Sequence, residues 1–170
     1  MNALEIKNLS KEYPNFRLDR LSLTLPGGCI MGLVGENGAG KSTTIKLLLD
    51  MIHRDGGTIT ILGRDNQSDL SLLKEEIGVV LDDVGLPECL KAGQIGKVMK
   101  GIFKSWDDVE YEKYLRRLSI PTDRKFKEFS RGMKMKLGIA VALSHHPKLL
   151  LLDEATNGLD PVCLLYTSPS

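Results

Sequence analysis

The stretch from Gly35 to Thr43 reads G-x-x-x-x-G-K-S-T, and it limits the folds open to this chain more than any other feature of the sequence. Glycine allows positive φ and close approach to a ligand, since no Cβ stands in the way. Such a turn aims backbone N–H groups at the α- and β-phosphates of a nucleotide, while Lys41 reaches the β- and γ-phosphates and the Ser42 hydroxyl ligates Mg²⁺. The pattern predicts a phosphate-binding loop with nucleotide contacts from Gly35, Glu36, Asn37, Gly38, Ala39, Gly40, Lys41, Ser42 and Thr43.

The residues on either side of the loop fit a strand before it and a helix after it. Residues 29–34 form a short apolar run, which predicts a strand buried on both faces. The apolar residues after the loop recur at helical spacing: Ile45, Leu48, Leu49 and Ile52. A helix that begins here presents an N-terminus that favours anions. This context favours a true phosphate loop over a chance Gly-rich turn with a stray lysine.

The rest of the chain alternates predicted strands with helical stretches. Further strands are predicted at residues 4–9, 21–25, 58–62, 77–81 and 149–152, and a short helix at 70–76. The chain looks helical from about residue 87 to residue 144. Ser105 is predicted to cap a helix with Asp107 and Asp108 in its first turn, and residues 130–144 are predicted to form a second long helix.

Two acidic residues follow the leucine-rich strand at 149–152. Ligands bind at the carboxyl edge of strands in open α/β sheets, so this strand would deliver carboxylates to such an edge. Asp153 is a candidate to hold Mg²⁺ through its water shell, and Glu154 is placed to activate an attacking water. A leucine strand that ends in two acids by chance is the alternative, which the neighbouring phosphate loop disfavours.

Composition and charge exclude several classes of protein. The formal net charge of +1 argues against a nucleic-acid partner. The three cysteines are far apart and lack zinc spacing, which favours reduced thiols in the cytosol. The N-terminus has no signal-peptide pattern, and no apolar run approaches the roughly 20 residues that span a bilayer. Any role at a membrane is therefore expected to involve a partner chain.

Two further stretches make residues 2–162 resemble the ATP-binding subunit of ATP-binding-cassette (ABC) transporters. Residues 152–161, Leu-Asp-Glu-Ala-Thr-Asn-Gly-Leu-Asp-Pro, look like the acidic strand and following loop of that family. Residues 129–133, Phe-Ser-Arg-Gly-Met, look like its signature sequence, usually written LSGGQ. The resemblance implies an α/β fold, with a P-loop NTPase core, an antiparallel β subdomain and an inserted α-helical subdomain.

The resemblance also implies how ATP is held between two subunits that face each other head to tail. Ser130 and the Gly132 backbone would meet the γ-phosphate bound by the opposite subunit, and Asp160 would tune contacts across the dimer. Ser130 would serve as a helix cap as well. Tyr13 matches the aromatic residue that stacks on adenine, with Phe16 as a rival candidate.

The implied cofactors are ATP and Mg²⁺, with the metal held by Ser42, Asp82 and Asp153. Glu154 and Asp82 are the implied catalytic residues. The implied partners are a second ATP-binding subunit, in a homodimer or heterodimer, and an integral membrane permease, with no nucleic acid. The expected location is the cytoplasm, at the inner face of the cell membrane.

Three departures from the family pattern matter. Asp82 stands where the family usually has Gln, and an ionised acid can ligate Mg²⁺ but cannot donate a hydrogen bond to water. Arg131 and Met133 replace the common Gly and Gln of the signature, a variant similar to single-cassette bacterial exporters. The switch histidine of the family would lie beyond the last residue, and His145 and His146 do not fill that role because they precede the acidic strand.

These features predict an incomplete ABC ATPase domain at residues 1–162. Its core would comprise about 1–86 and 145–162, and its helical subdomain 87–144. Residues 163–170 are interpreted as an atypical, non-native tail. The chain as given is expected to be poorly soluble or partly unfolded and to show no ATPase activity above background. An exposed sheet edge beside residues 149–152 is expected to promote aggregation.

Two other functions stay open on the sequence. One is a soluble ABC ATPase of translation or DNA repair, although the roughly ninety residues between Lys41 and Ser130 show no coiled-coil heptads, which disfavours repair proteins. The other is a nucleotide-binding fragment without turnover.

Overall fold

The computed structural model describes residues 1–36, 38–68, 70–81, 83–153 and 163–167. Its strands are β1 (Asn2–Tyr13), β2 (Phe16–Pro26), β3 (Ile30–Leu33), β4 (Gly56–Ile61), β5 (Arg64–Asp65), β6 (Ile77–Val80), β7 (Leu149–Leu152) and β8 (Cys163–Thr167). Its helices are α1 (Lys41–Leu48), α2 (Leu70–Glu76), α3 (Ala92–Ile102), α4 (Asp108–Arg117) and α5 (Arg131–Leu143), with a 3₁₀ turn at Phe126–Glu128.

The first sheet is antiparallel and has the strand order β2-β1-β4-β5. Strands β1 and β2 form a hairpin that closes where Tyr13 pairs with Phe16. Alternating residues of β1, among them Leu4 and Ile6, are buried against the core. The predicted strands at 4–9, 21–25 and 58–62 are therefore confirmed, the first two as parts of longer strands.

The second sheet has the order β3-β8-β7-β6 and carries the two strands that lead into the predicted site. Strands β6 and β7 are parallel, and β8 lies antiparallel between β7 and β3. Both edges of β7 are thus paired. The predicted exposed edge beside residues 149–152 is wrong, because residues 163–167 supply a strand there.

Strand β3 departs from its predicted burial on both faces. Ile30 is 66% exposed and the following Val34 is 74% exposed, whereas Met31 and Leu33 pack against the main core. Among the described residues, only β8 pairs with β3, so the strand lies at the end of the sheet. An apolar run shows that a strand can be buried, but it does not show whether a second layer covers the other face.

The buried apolar side chains form one large cluster and two smaller ones. The large cluster joins the first sheet to α1, α2, β6 and β7, with Ile45, Leu73 and Leu149 fully buried. A second cluster lies among α3, α4, α5 and the 3₁₀ turn. A third joins Ala142 of α5 to Val80 and Leu150 of the second sheet. Helix α5 therefore packs on the sheet and on the other helices at once.

Helix α4 is capped by Asp107, so the prediction that Ser105 caps it is wrong. One Asp107 carboxylate oxygen accepts hydrogen bonds from the N–H groups of Val109 at 2.9 Å and Glu110 at 3.1 Å. The Ser105 hydroxyl instead lies 2.9 Å from the carbonyl of His145 and 3.1 Å from the carboxylate of Glu75. Both residue types cap helices, and here the tertiary contacts of Ser105 leave the cap to Asp107. In the part of the chain that the structure describes, no helix has the length and apolarity needed to cross a bilayer.

Candidate phosphate-binding site

The loop between β3 and α1 depends on glycine for its backbone path. Gly38 has φ 86° and Gly40 has φ 95°, in the left-handed region that other residues rarely adopt. A Cβ on Gly40 would also lie 2.9 Å from Cζ of Phe16. Gly40 is the N-cap of α1 and provides no side chain there, so the first N–H groups of the helix stay available to a ligand.

The Lys41 ammonium lies against the loop that precedes it. It donates hydrogen bonds to the carbonyl oxygens of Gly35 and, at 2.8 Å, of Glu36. The cation therefore lies in the loop that leads into the N-terminus of α1. An anion in the loop would meet positive charge from both sources.

Helix α1 and strand β7 bring together a hydroxyl and a carboxylate from distant parts of the chain. The Ser42 Oγ lies 3.4 Å from Oδ1 of Asp153. Asp153 is only 8% exposed, and its own N–H donates to the carbonyl of Val80 at 2.9 Å. Two oxygen donors side by side next to a phosphate loop are the kind of ligand that Mg²⁺ prefers, so these residues fit the metal.

A cavity of about 550 Å³ runs from the loop to the turn of the β1–β2 hairpin. It is lined by Tyr13, Asn15, Phe16, Gly38, Gly40, Lys41, Ser42, Thr43, Lys46 and Ile52. The rings of Tyr13 and Phe16 have centroids 6.5 Å apart with 36° between their planes. Both aromatic candidates thus lie at the same end of the cavity.

Sequence reasoning did not assign three of the lining residues to the cavity: Asn15, Lys46 and Ile52. Asn15 lies in the hairpin turn beside Tyr13. Its closeness in sequence to Tyr13 was the one signal that could have placed it at the site. Lys46 lies five residues after Lys41 on α1, and this spacing belongs to no motif. Hairpin and helix meet only through tertiary packing, so neither residue could be assigned to the cavity beforehand.

The signature residues lie at the start of α5 and not in this cavity. Ser130 is the N-cap of α5, and its Oγ accepts a hydrogen bond from the N–H of Met133 at 3.3 Å. The predicted capping role is confirmed. Ser130 is exposed, and a Cβ on Gly132 would meet nothing within 4 Å. The Ser130 side chain and the backbone at Gly132 are therefore accessible at the start of α5.

Four predicted site residues lie outside the described part of the chain. They are Asn37, Asp82, Glu154 and Asp160.

Comparisons with known proteins identify the family. The sequence profile of the ABC transporter family matches residues 18–157, and the chain belongs to this family. A solved structure described as an ATP-binding subunit of an ABC transporter superimposes with a TM-score of 0.76 at 29% identity, covering 94% of this chain and 69% of that one. The predicted α/β, P-loop NTPase fold of an ABC ATPase is therefore confirmed, and the family is one that binds nucleotides.

Curated relatives include transport ATP-binding proteins of bacteria. The chain is 34% identical over 167 residues to the bacitracin transport ATP-binding protein BcrA of Enterococcus faecalis, covering 94% of this chain and 53% of that protein. It is 37% identical over 166 residues to the lantibiotic transport ATP-binding protein SrtF of Streptococcus pyogenes, covering 94% and 69%. It is 36% identical to the daunorubicin/doxorubicin resistance ATP-binding protein DrrA of Streptomyces peucetius, covering 94% and 50%. The chain spans about half the length of several of the curated relatives it matches.

Proposed function

We propose that this chain is the ATP-binding and ATP-hydrolysing part of an ABC transporter that powers export through a separate membrane subunit. The observation that carries the proposal is the approach of Ser42 to Asp153 beside Lys41, because it joins oxygen ligands for a metal to a cation and a helix N-terminus. The names of several relatives refer to transport of bacitracin or lantibiotics, and one refers to Nod factor export. The last of these names supports export as the direction of transport.

The phosphate loop would hold the triphosphate of ATP through its backbone N–H groups and Lys41. Ser42, Asp153 and Asp82 would hold Mg²⁺, which neutralises charge on the phosphates. Glu154 would take a proton from the attacking water as a general base, and Asp82 would help to orient that water. Tyr13 would stack on the adenine, an interaction worth about 1–3 kcal/mol in nucleic-acid complexes.

A second ATP-binding subunit would complete the site. Ser130 and the N–H of Gly132 lie at an exposed helix N-terminus, where a hydroxyl and an amide are good donors to a γ-phosphate of the opposite subunit. Asp160 would adjust contacts across that interface. The permease subunit would hold the assembly at the inner face of the cell membrane, with no role for nucleic acid.

We further infer two subdomains, a core at 1–86 and 145–162 and a helical part at 87–144. The separate apolar cluster among α3, α4 and α5 supports this division, because the helices bury much of their apolar surface against each other. Their contact with the sheet is made chiefly by α5.

The experiment that tests nucleotide binding compares ATP, ADP and AMP in equilibrium titrations with Mg²⁺. A loop that holds the β- and γ-phosphates should bind ATP and ADP at least about tenfold more tightly than AMP, since hydrogen bonds to charged groups are worth about 1.5–3 kcal/mol. Equal affinities for AMP and ATP would contradict the proposal, because the phosphate loop would then contribute nothing.

A further inference from the structure

A groove of about 520 Å³ lies between α3 and α4 and shares no residue with the phosphate-binding cavity. Glycines of α3 leave room for it, since a Cβ on Gly93 would meet nothing within 4 Å and one on Gly96 would lie 2.5 Å from the ring of Tyr111. Tyr111 and Leu115 of α4 are buried and form an apolar floor. The Tyr111 hydroxyl donates to the carbonyl of Ala92 at 2.8 Å, so the floor has no unmet polar need there.

Three cationic side chains line the same groove, Lys97 and Lys100 from α3 and Arg116 from α4. The Lys100 ammonium forms an ion pair with the carboxylate of Asp108, and Glu112 is the second acid of the lining. In the part of the chain that the structure describes, no residue forms an ion pair or hydrogen bond with the ammonium of Lys97 or the guanidinium of Arg116. An anionic group in the groove would therefore meet donors from both helices.

The charge of the chain is divided unevenly between the helical part and the rest. Residues 87–144 contain 13 lysines and arginines against 7 aspartates and glutamates, whereas the whole chain contains 23 against 22. The helical part therefore has a net charge of +6 and the remainder of −5, which the overall value of +1 conceals. A basic region of this kind attracts anionic surfaces.

Exposed apolar side chains lie on the same two helices. Val98 and Ile102 of α3 are 41% and 59% exposed, and Val109 of α4 is 71% exposed. Val98 and Ile102 are four residues apart and so lie on one side of α3. Cations beside exposed apolar side chains are typical of helices at a membrane surface, whereas a polyanion such as a nucleic acid would use the cations alone.

We propose that the face formed by α3 and α4 binds anionic phospholipid directly, with a headgroup phosphate in the groove between Lys97 and Arg116. A phospholipid joins a phosphate to an apolar body, which matches a groove with cationic walls, an apolar floor and exposed apolar neighbours. The contact goes beyond the proposed function, because it needs neither a bound nucleotide nor a permease. It would give the ATP-binding part its own hold on the membrane.

The test measures binding of the chain to vesicles by flotation. One set of vesicles is phosphatidylcholine alone, and the other contains about 30% phosphatidylglycerol. We expect the parent to bind the anionic vesicles at least about tenfold more tightly. The double variant Lys97→Gln, Arg116→Gln should weaken that binding by about tenfold to thirtyfold, since each cation near an anionic membrane contributes about fivefold.

A matched pair of variants separates the groove from total charge. Arg20→Gln with Lys74→Gln removes two exposed cations outside the helical part and should stay within about twofold of the parent. Lys97→Arg with Arg116→Lys keeps both charges and should bind as the parent does, which covers the case in which the glutamine pair fails to fold. Circular dichroism checks the fold of each variant.

Two further arms identify the ligand. Val98→Ser with Ile102→Ser should weaken binding to anionic vesicles by about threefold or more, because less apolar surface enters the membrane. Soluble glycerol phosphate carries the headgroup phosphate without the apolar body and should bind far more weakly than the vesicles. Equal affinity for glycerol phosphate would make this a site for free phosphate and would overturn the lipid inference.

Two other results would also overturn it. One is a parent that binds both kinds of vesicle equally or neither, as expected if the groove takes a protein segment instead. The other is a Lys97, Arg116 glutamine pair that binds no more weakly than the Arg20, Lys74 pair. ATP affinity without vesicles is measured in parallel, and its absence in the parent would remove the proposed function while leaving the lipid contact in place.

Discussion

The hydroxyl of Ser42 lies 3.4 Å from the carboxylate of Asp153, although 111 residues separate them in the sequence. Asp153 is nearly buried, and its backbone is fixed by the hydrogen bond to Val80, so the carboxylate is held at the end of β7. A buried carboxylate beside a hydroxyl is well suited to share a divalent cation with bound phosphates.

The first prediction concerns the metal. Asp153→Asn should bind ATP without the gain in affinity that Mg²⁺ gives the parent, because an amide does not offer the negative charge that the cation needs. We expect the Mg²⁺-dependent gain to fall by about tenfold or more, in line with the loss of a charge-assisted contact. The measurement is ATP affinity with Mg²⁺ and with EDTA. A variant that keeps the full Mg²⁺ effect would remove Asp153 from the metal site.

The second prediction concerns the shape of the loop. Gly40→Ala should lower both ATP affinity and stability, since the residue has φ 95° and its new Cβ would lie 2.9 Å from Phe16. The strain should cost about 1–3 kcal/mol in the free energy of unfolding, measured by urea denaturation. Gly101→Ala is the control, because that helical position is open and should be neutral or stabilising. A Gly40→Ala chain as stable as the parent would contradict the observed loop.

The third prediction concerns the packing of α3 on α4. A Cβ on Gly96 would lie 2.5 Å from Cε1 of Tyr111, whereas a Cβ on Gly93 would meet nothing within 4 Å. Gly96→Ala should therefore reduce the free energy of unfolding by about 1–3 kcal/mol relative to Gly93→Ala. If 87–144 is a separate helical subdomain, ATP affinity should stay within about twofold of the parent in native buffer. A loss of ATP binding in proportion to stability would argue against that division.

The fourth prediction concerns a buried histidine. His145 is 2% exposed, its Nε2 lies 3.2 Å from the carbonyl of Ile77, and its ring stacks on Phe103 with centroids 4.1 Å apart. Burial lowers the pKa of His145, and the neighbouring His146 lowers it further. The backbone carbonyls of Ile77 and Val141 and the nearby Glu75 carboxylate oppose this effect.

The sign of the pH dependence follows from that lowered pKa. Below about pH 6.5 the unfolded chain binds a proton that the folded chain resists, so stability falls as the pH falls towards the pKa of folded His145. Above that range the contribution is constant. Urea midpoints at about pH 8 and about pH 5.5 should differ less for His145→Gln than for the parent. His53→Gln removes a histidine whose side chain is 83% exposed and should leave the parent's slope intact. An unchanged slope in His145→Gln would show that other groups cause the dependence.

Much of the fold was predictable because long periodic patterns dominate it. Helix α2 and strand β7 have the predicted bounds, and α5 differs from its prediction only at the terminal residues. The phosphate loop and its flanking elements also followed from local sequence. In these segments, hydrophobic spacing and backbone chemistry agree with the tertiary structure.

The failures have tertiary causes. Apolar spacing revealed β3 as a strand, but its exposed face depends on what other elements cover it. The choice of Asp107 over Ser105 as a cap depends on Glu75 and His145, which lie far away in the sequence. The cavity joins the β1–β2 hairpin to the last turn of α1, and no local sequence pattern predicts that these two elements meet.

The measurement that tests the central claim most directly is the ATP affinity of Lys41→Ala. The Lys41 ammonium is the cation that lies against the phosphate loop, so its loss should weaken ATP by at least about tenfold, while circular dichroism shows an unchanged fold. Lys74→Met is the control, because Lys74 is an exposed lysine of α2 that does not line the cavity. This variant should bind ATP as the parent does. An affinity of Lys41→Ala equal to that of the parent would contradict the account, because the loop from Gly35 to Thr43 would then not be where the nucleotide phosphates bind.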